Sequence, residues 1–408
     1  MRTFIFIAWL CTGLGAAWGQ SAPQPGGPPH GTLEVVLPSP ATAAALGRIE
    51  EYLWKESSLG PRFAGLLALI TAREMSLPYE WSAREDAALQ AGLEPAVVEI
   101  VRRNAALTGL TSDDALLVDF GRQLFRQRHV ESQTFAALVS RFGKQGAFDA
   151  IMQLAYPAMA GMLQRAADLK PPASWNADRL PRLSGVGTPG GRLGEFVAMG
   201  ERPPLPSDVN EDSTYRFPLL RRQELDARSR EIFDRIVGAD HDTVPRGPVG
   251  MTFLSAQLVE PVQQLNAALR ETGALETRTV EIVIATTGRE MNSQYQWNVH
   301  GGAAERAAAG KAVLDAIRDD RDLAGLDERD AVAISLVREL FRDGHARPAT
   351  FAAAVRHFGN RGAVEIAALA GDYLMITTVY NALGMRLRAD QTTTLPHRSG
   401  APVGAEWR

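Results

Sequence analysis

Cysteine is almost missing from this chain. Its 408 residues contain a single cysteine, Cys11, which lies within an apolar N-terminal stretch. A disulfide needs two cysteines, and thiolate metal sites and thiol redox catalysis each need a thiol in the mature protein. If the N-terminal stretch is removed on export, all three kinds of chemistry are excluded together.

An excess of positive charge is missing as well. The chain has 43 Lys and Arg residues against 47 Asp and Glu residues, and no basic stretch alternates with aromatic residues as in a nucleic-acid groove. The 7 histidines are scattered, and none forms a His-x-x-x-His or His-x-x-Glu pair on a helix. We therefore expect neither a nucleic-acid partner nor a dedicated metal site.

Residues 1–19 have the layout of a cleavable secretory signal. A short positive start at Arg2 precedes the largely apolar run Phe4–Leu14, and the small residues Ala17 and Gly19 occupy the positions that a signal peptidase inspects. No later segment offers about 20 uninterrupted apolar residues for a membrane span. The sequence predicts a secreted or periplasmic protein with no membrane contact after cleavage.

Proline and glycine mark the boundaries of the remaining chain. A length of 408 residues with 45% hydrophobic residues favours two domains. Residues 20–31 are too rich in Pro and Gly for a helix or strand and predict a disordered tether. The same composition at 171–212 predicts a linker, and 391–408 form a tail.

The two flanks of this linker match each other when the chain is shifted by 216 residues without a gap. Matching segments include Arg73-Glu74-Met75 with Arg289-Glu290-Met291, Tyr79 and Trp81 with Tyr295 and Trp297, and Phe142-Gly143 with Phe358-Gly359. Such a register over more than one hundred residues indicates an internal repeat. We predict two tandem copies of one domain, at 32–170 and 213–390.

Both copies have helical periodicity. A helix beginning near Asp327 carries apolar residues at i, i+3 and i+4 spacing and ends near Gly344. Ser293 and Gln296 have the spacing of a capping box, and Pro78 stands where a first helical turn tolerates proline. Because no convincing alternating strand pattern accompanies these signals, the predicted class is all-α.

One group of polar residues in the second copy could carry chemistry. Ser293, Gln296, Trp297 and His300 are spaced so that they share one face of a helix. Glu281 lies on the preceding helix within an otherwise apolar run, where a carboxylate must find a partner. These residues are the candidate site.

At these positions the sequence resembles the carboxymuconolactone decarboxylase-like superfamily, which includes the alkylhydroperoxidase D type of enzyme. The resemblance is carried by a helix with Glu281 and Arg289, by the Tyr-Gln-Trp-x-x-His segment Tyr295 to His300, and by Phe358-Gly359. It covers both copies. It implies two tandem copies of a carboxymuconolactone decarboxylase-like helical domain, and a homo-oligomer in which a trimer imitates a hexamer.

The resemblance also implies site roles. In the peroxidase branch two cysteines act with a Glu and a His, but Ser293 and Gln296 stand at the cysteine positions, so thiol peroxidase activity is contradicted. The decarboxylase branch implies a cofactor-independent lyase or isomerase acting on a small organic acid or lactone. His300 would donate the proton, Glu281 would set its tautomer, and Gln296 and Arg289 would contact substrate.

The first copy departs from this pattern. Arg84 replaces His300, Gly65 replaces Glu281, Leu77 replaces Ser293, and Glu80 replaces Gln296. This copy therefore lacks the predicted site.

Less specific interpretations stay open. Glu281 and His300 could form a buried pair that only satisfies itself, which would favour a non-catalytic binding or scaffold protein. Arg289 could belong to a structural ion pair because Arg73-Glu74 recurs in the copy that lacks the site. Trp297, shared with Trp81, could be a packing residue and not a pocket wall.

Overall fold

The computed structural model describes residues 39–172, 175, 180–181, 206–396 and 398. The predicted signal at 1–19, the tether at 20–31 and parts of the linker and tail lie outside these residues. Within them the chain is all-helical, and its one extended pairing is an isolated bridge between Arg221 and Thr243. The prediction of an all-α class is confirmed.

The helices fall into two series separated by a stretch of short turns. The first series consists of α1 (Pro40–Glu51), α2 (Gly60–Glu74), α3 (Pro78–Gln90), α4 (Pro95–Arg103), α5 (Ser112–Gln127) and α6 (Ser132–Ala166). Two short helices follow, α7 (Ala227–Phe233) and α8 (Pro248–Thr252). The second series consists of α9 (Val259–Arg270), α10 (Thr277–Glu290), α11 (Gln294–Arg306), α12 (Lys311–Arg318), α13 (Glu328–Arg342) and α14 (Pro348–Ala382).

The bounds of α2 to α6 shifted by 216 residues reproduce those of α10 to α14 to within one residue. Two details recur with them. Gly143 interrupts α6 with φ 71°, and Gly359 interrupts α14 with the same φ. This backbone conformation is essentially restricted to glycine.

Local signals explain where the helices begin. Pro78 opens α3, and Asp327 caps α13 by accepting a hydrogen bond from the backbone N–H of Arg329. Ser293 Oγ accepts from the N–H of Gln296 and caps α11, while the N–H of Ser293 donates to the carbonyl of Gly288. Only half of the predicted capping box is therefore formed.

The long helices α6 and α14 pack against each other at the centre. Gly371 lies so close to α6 that a Cβ there would stand 2.9 Å from the carbonyl oxygen of Met159. Arg165, buried on α6, donates to the carbonyls of Met75 and Leu340 and so joins the two series. One hydrophobic core runs through both series.

Helix α14 passes a length and composition test for a membrane span, with a mean hydropathy of 1.3 over its most apolar 18-residue window. The sequence-based expectation that no later segment would be apolar enough was too strict. In the structure 94% of that window is buried inside the protein. The apolar face of α14 therefore packs against protein.

Candidate functional site

Glu281 and His300 meet in the interior between α10 and α11. His300 Nδ1 lies 2.7 Å from Glu281 Oε2. The Glu281 side chain is 4% exposed and the His300 side chain 11%. The close approach of the two helices needs Gly288, where a Cβ would stand 3.0 Å from Gln296 Cγ. The first two predicted residues are thus in direct contact.

Arg270 on α9 holds the other oxygen of this carboxylate. Its Nη2 donates to Glu281 Oε1 at 2.9 Å, and its side chain is 35% exposed, so it reaches from solvent to the pair. Burial acts to raise the pKa of Glu281, but the hydrogen bond and charge of His300, together with Arg270, outweigh it and leave that pKa below its ordinary value. Glu281 is therefore an ionised, fully partnered carboxylate.

The opposite wall comes from α14. The His300 ring packs edge-on to the Tyr373 ring, with 5.0 Å between centroids and 79° between planes. Asn266 on α9 donates to Asp372 Oδ2 at 2.9 Å and lies 3.4 Å from the Tyr373 hydroxyl. Burial raises the pKa of Asp372 to about 7 and that of Tyr373 well above its usual range. Two groups beside the pair are thus held in, or near, their protonated forms.

Two buried polar atoms near this cluster have no hydrogen-bond partner among the described residues. They are Nε2 of Gln296, a residue that is 1% exposed, and Oδ1 of Asp372, a residue that is fully buried. Gln296 lies one turn before His300 on the same face of α11. A donor and an acceptor left open in the interior are unusual and suit a bound polar molecule or water.

Ser293 and Trp297 have structural partners. Ser293 caps α11 as described above, and Trp297 Nε1 donates to Thr394 Oγ1 at 3.0 Å. Trp297 is 5% exposed and packs in a small hydrophobic cluster with Ile282 and Ile334. These contacts fix the start and the orientation of the helix that carries His300.

Arg289 lies away from the pair. Eight residues separate it from Glu281 on α10, which is about 12 Å along a helix. It is fully buried and donates to the carbonyl of Pro396 at 2.7 Å and to Asn292. Its neighbour Glu290 pairs with Arg342, as Glu74 pairs with Arg126 in the first series. The arginine that the structure brings to the Glu281–His300 pair is Arg270.

The first series fills the equivalent space with an ion network. Arg84, at the position of His300, donates to Glu80 at 2.8 Å and to Glu50 at 2.7 Å. Its guanidinium also lies 5.1 Å from the Trp54 ring centroid. All three charged residues are less than 5% exposed. An arginine held by two carboxylates has no neutral form to offer near neutral pH, so this copy lacks an acid–base group there.

Sequence reasoning missed Arg270, Asn266, Asp372 and Tyr373. The signal for Asp372 was available, because it interrupts the apolar run of α14 just as Glu281 interrupts that of α10. The residues on α9 carry no such signal, since their proximity to His300 depends on how the helices pack.

This arrangement can move a proton. An imidazole whose Nδ1 is held by a carboxylate has a fixed tautomer, and its Nε2 is the atom available for acid–base chemistry. Among the described residues no group of three or more His, Cys, Asp or Glu side chains could hold a metal ion. The residues present are those of general acid–base catalysis.

No protein-family model matches the chain, and no curated protein matches its sequence. The resemblance to the carboxymuconolactone decarboxylase-like superfamily therefore depends on the quoted residues.

Proposed function

We propose that this chain is an exported protein made of two tandem copies of a carboxymuconolactone decarboxylase-like domain, at 32–170 and 213–390. The coincidence of helix bounds at a shift of 216 residues supports the duplication. The short helices α7 and α8 have no equivalent in the first series and belong to the second copy or its approach. The linker is then the segment between the copies, at 171–212.

We further propose that the second copy is a cofactor-independent lyase or isomerase acting on a small organic acid or lactone. The single observation that carries this proposal is the 2.7 Å contact between His300 Nδ1 and Glu281 Oε2 at the base of a partly accessible imidazole. In a decarboxylation the bond from carbon to the carboxylate carbon breaks, carbon dioxide leaves, and its electron pair forms a dienolate. His300 Nε2 then supplies the proton that carbon requires, and solvent restores it.

Arg270 is better placed than Arg289 to recognise an acidic substrate. It contacts Glu281 through one nitrogen, and its side chain extends to solvent beside the pair. A guanidinium at the mouth of a site is suited to a carboxylate. Gln296 Nε2, which has no partner, would donate to a substrate oxygen.

A non-catalytic binding protein is the alternative function. It is favoured by the saturation of Glu281, whose two oxygens are held by His300 and Arg270 in a largely buried setting. Such a pair could be retained for the fold alone. The absence of cysteine at Ser293 and Gln296 disfavours a thiol peroxidase in either case.

We also propose a homo-oligomer in which a trimer imitates a hexamer of single domains. Among the described residues Val299, at 41%, is the one large hydrophobic residue that is exposed. The subunit contacts would therefore be largely polar. Light scattering during size-exclusion chromatography distinguishes a trimer from a monomer.

A turnover assay over a panel of small lactone acids tests the enzymatic proposal. We expect His300→Ala to lower turnover by about 100-fold or more, the usual contribution of a general acid. His345→Ala, at an exposed histidine in the loop after α13, is the matched control and should keep full activity. Undiminished turnover in His300→Ala would contradict the proposed role, and saturable binding without turnover in the unmodified protein would favour the binding protein.

A further inference from the structure

A second cavity lies at the other end of α10 from Glu281. Its volume is about 400 Å³, within the range of small-molecule sites. Four arginines line it: Arg338 and Arg342 on α13, Arg347 after that helix, and Arg398 near the C-terminus. We call this cavity the arginine cleft. It shares no lining residue with the Glu281–His300 pair.

Positive groups outnumber negative ones at its inner end. Asp320 is approached by Arg398 at 2.6 Å, by Arg342 at 2.8 Å and by Arg338 at 3.2 Å. Behind this wall Arg289 and Arg128 lie within electrostatic range of Glu290, which also binds Arg342. Among the described residues five guanidinium groups thus face two carboxylates.

The burial of these guanidinium groups is costly. Desolvation lowers the pKa of Arg338, and it lowers the pKa of Arg128 and of Arg289 to about 10 in each case. Arg338 uses Nη1 and Nη2 on the carbonyls of Arg321 and Ala316, while its buried Nε has no hydrogen-bond partner. Buried cations are normally compensated by anions, so this end of the cleft has room for additional negative charge.

The rim has the opposite balance. Arg347, whose side chain is 63% exposed, donates to Asp343 at 2.9 Å and lies 3.6 Å from Glu339. Glu339 also accepts from the backbone N–H of Arg347 and from Thr350 Oγ1. The carboxylates at the rim are occupied by these contacts. An anion would therefore be drawn past the rim to the inner end.

We propose that the arginine cleft binds a small free molecule bearing an oxyanion, either a phosphate or a carboxylate, between Arg338, Arg342 and Arg398. The planar guanidinium groups on three sides of one carboxylate offer paired N–H donors, which phosphate and carboxylate oxygens both accept. The ligand lies outside the proposed active site, so this second site does not depend on the proposed reaction.

Isothermal titration calorimetry of the full mature chain with inorganic phosphate and with citrate tests the proposal, at constant ionic strength maintained by sodium chloride. We expect saturable binding of at least one of them, and the stronger one identifies the preferred oxyanion. Arg342→Gln and Arg398→Gln should each weaken binding by about tenfold or more, because a charge-assisted contact is lost.

Arg126→Gln is the matched control. Arg126 binds Glu74 through Nε and Nη2, as Arg342 binds Glu290, but it does not line the cleft. Both substitutions leave a buried glutamate without its arginine, so they impose a similar stability cost. Binding should be unchanged in Arg126→Gln and in His300→Ala. No saturable binding of either anion, or equal weakening in Arg342→Gln and Arg126→Gln, would overturn the proposal.

Discussion

Replacing Asp372 by asparagine should stabilise the protein, and the gain should increase with pH. Asp372 is fully buried on α14 beside the Glu281–His300 pair, and its one printed hydrogen bond comes from Asn266. Asparagine has nearly the same shape, can still accept that bond through its amide oxygen, and cannot ionise. The substitution therefore removes a charge while leaving the packing in place.

The magnitude follows from the pKa. Burial raises the pKa of Asp372 from 3.8 to about 7, against the opposing effects of Asn266 and Arg270. A carboxyl with a raised pKa in the folded state contributes stability that is complete below 3.8 and lost as the pH rises through about 7. At about 1.4 kcal/mol per pKa unit, the cost of ionisation is about 1.5 kcal/mol near pH 5 and about 4 kcal/mol near pH 8. These values are upper bounds on the gain in Asp372→Asn.

Urea unfolding of the unmodified chain and of Asp372→Asn, at about pH 5 and about pH 8, measures both numbers. Asp149→Asn is a matched control. Asp149 is also fully buried on the partner core helix, but it accepts hydrogen bonds from Tyr52, Ser58 and Ser255. Its replacement should cost about 2 kcal/mol or more. If Asp372→Asn is no more stable at the higher pH, or if its gain does not vary with pH, the reasoning is wrong.

Three further predictions concern stability and can be checked by the same urea titrations. Glu281→Gln should cost about 1–3 kcal/mol above about pH 4.5, and the loss should shrink as the pH falls through the lowered folded-state pKa of Glu281; a constant loss would refute the ion pair. Arg84→Ala should cost about 3–5 kcal/mol because two buried glutamates lose their partner, whereas Lys55→Ala, in an exposed pair, should cost less than about 1 kcal/mol. Gly359→Ala should cost about 1–3 kcal/mol from backbone strain at φ 71°, while Gly302→Ala, inside α11 with only the end of Arg306 nearby, should be neutral or stabilising.

The helical class and several helix starts were predictable because caps act locally. Pro78 and Ser293 act within a few residues of their own positions, and Asp327 accepts from a backbone N–H two residues away. The periodicity of apolar residues needs no knowledge of the partner helix. These features of the fold were therefore accessible before any helix was placed.

The composition of the site was less accessible. Glu281 stood out because it interrupts an apolar run, and the structure places it against His300. The choice between Arg289 and Arg270 could not be made in this way, because both stand near helix C-termini and only the packing of α9 on α10 decides which one reaches Glu281. The same packing sets the contact between Asn266 and Asp372, which lie 106 residues apart.

The central claim is that His300 transfers a proton to carbon in a bound substrate. Deuterium incorporation tests it most directly: the protein is incubated with small lactone acids in D₂O, and label at the carbon next to the carbonyl is measured by mass spectrometry. Our account predicts incorporation with the unmodified chain, its loss in His300→Ala and its retention in His345→Ala. Incorporation that persists undiminished in His300→Ala, or that never exceeds the protein-free rate, would contradict the account.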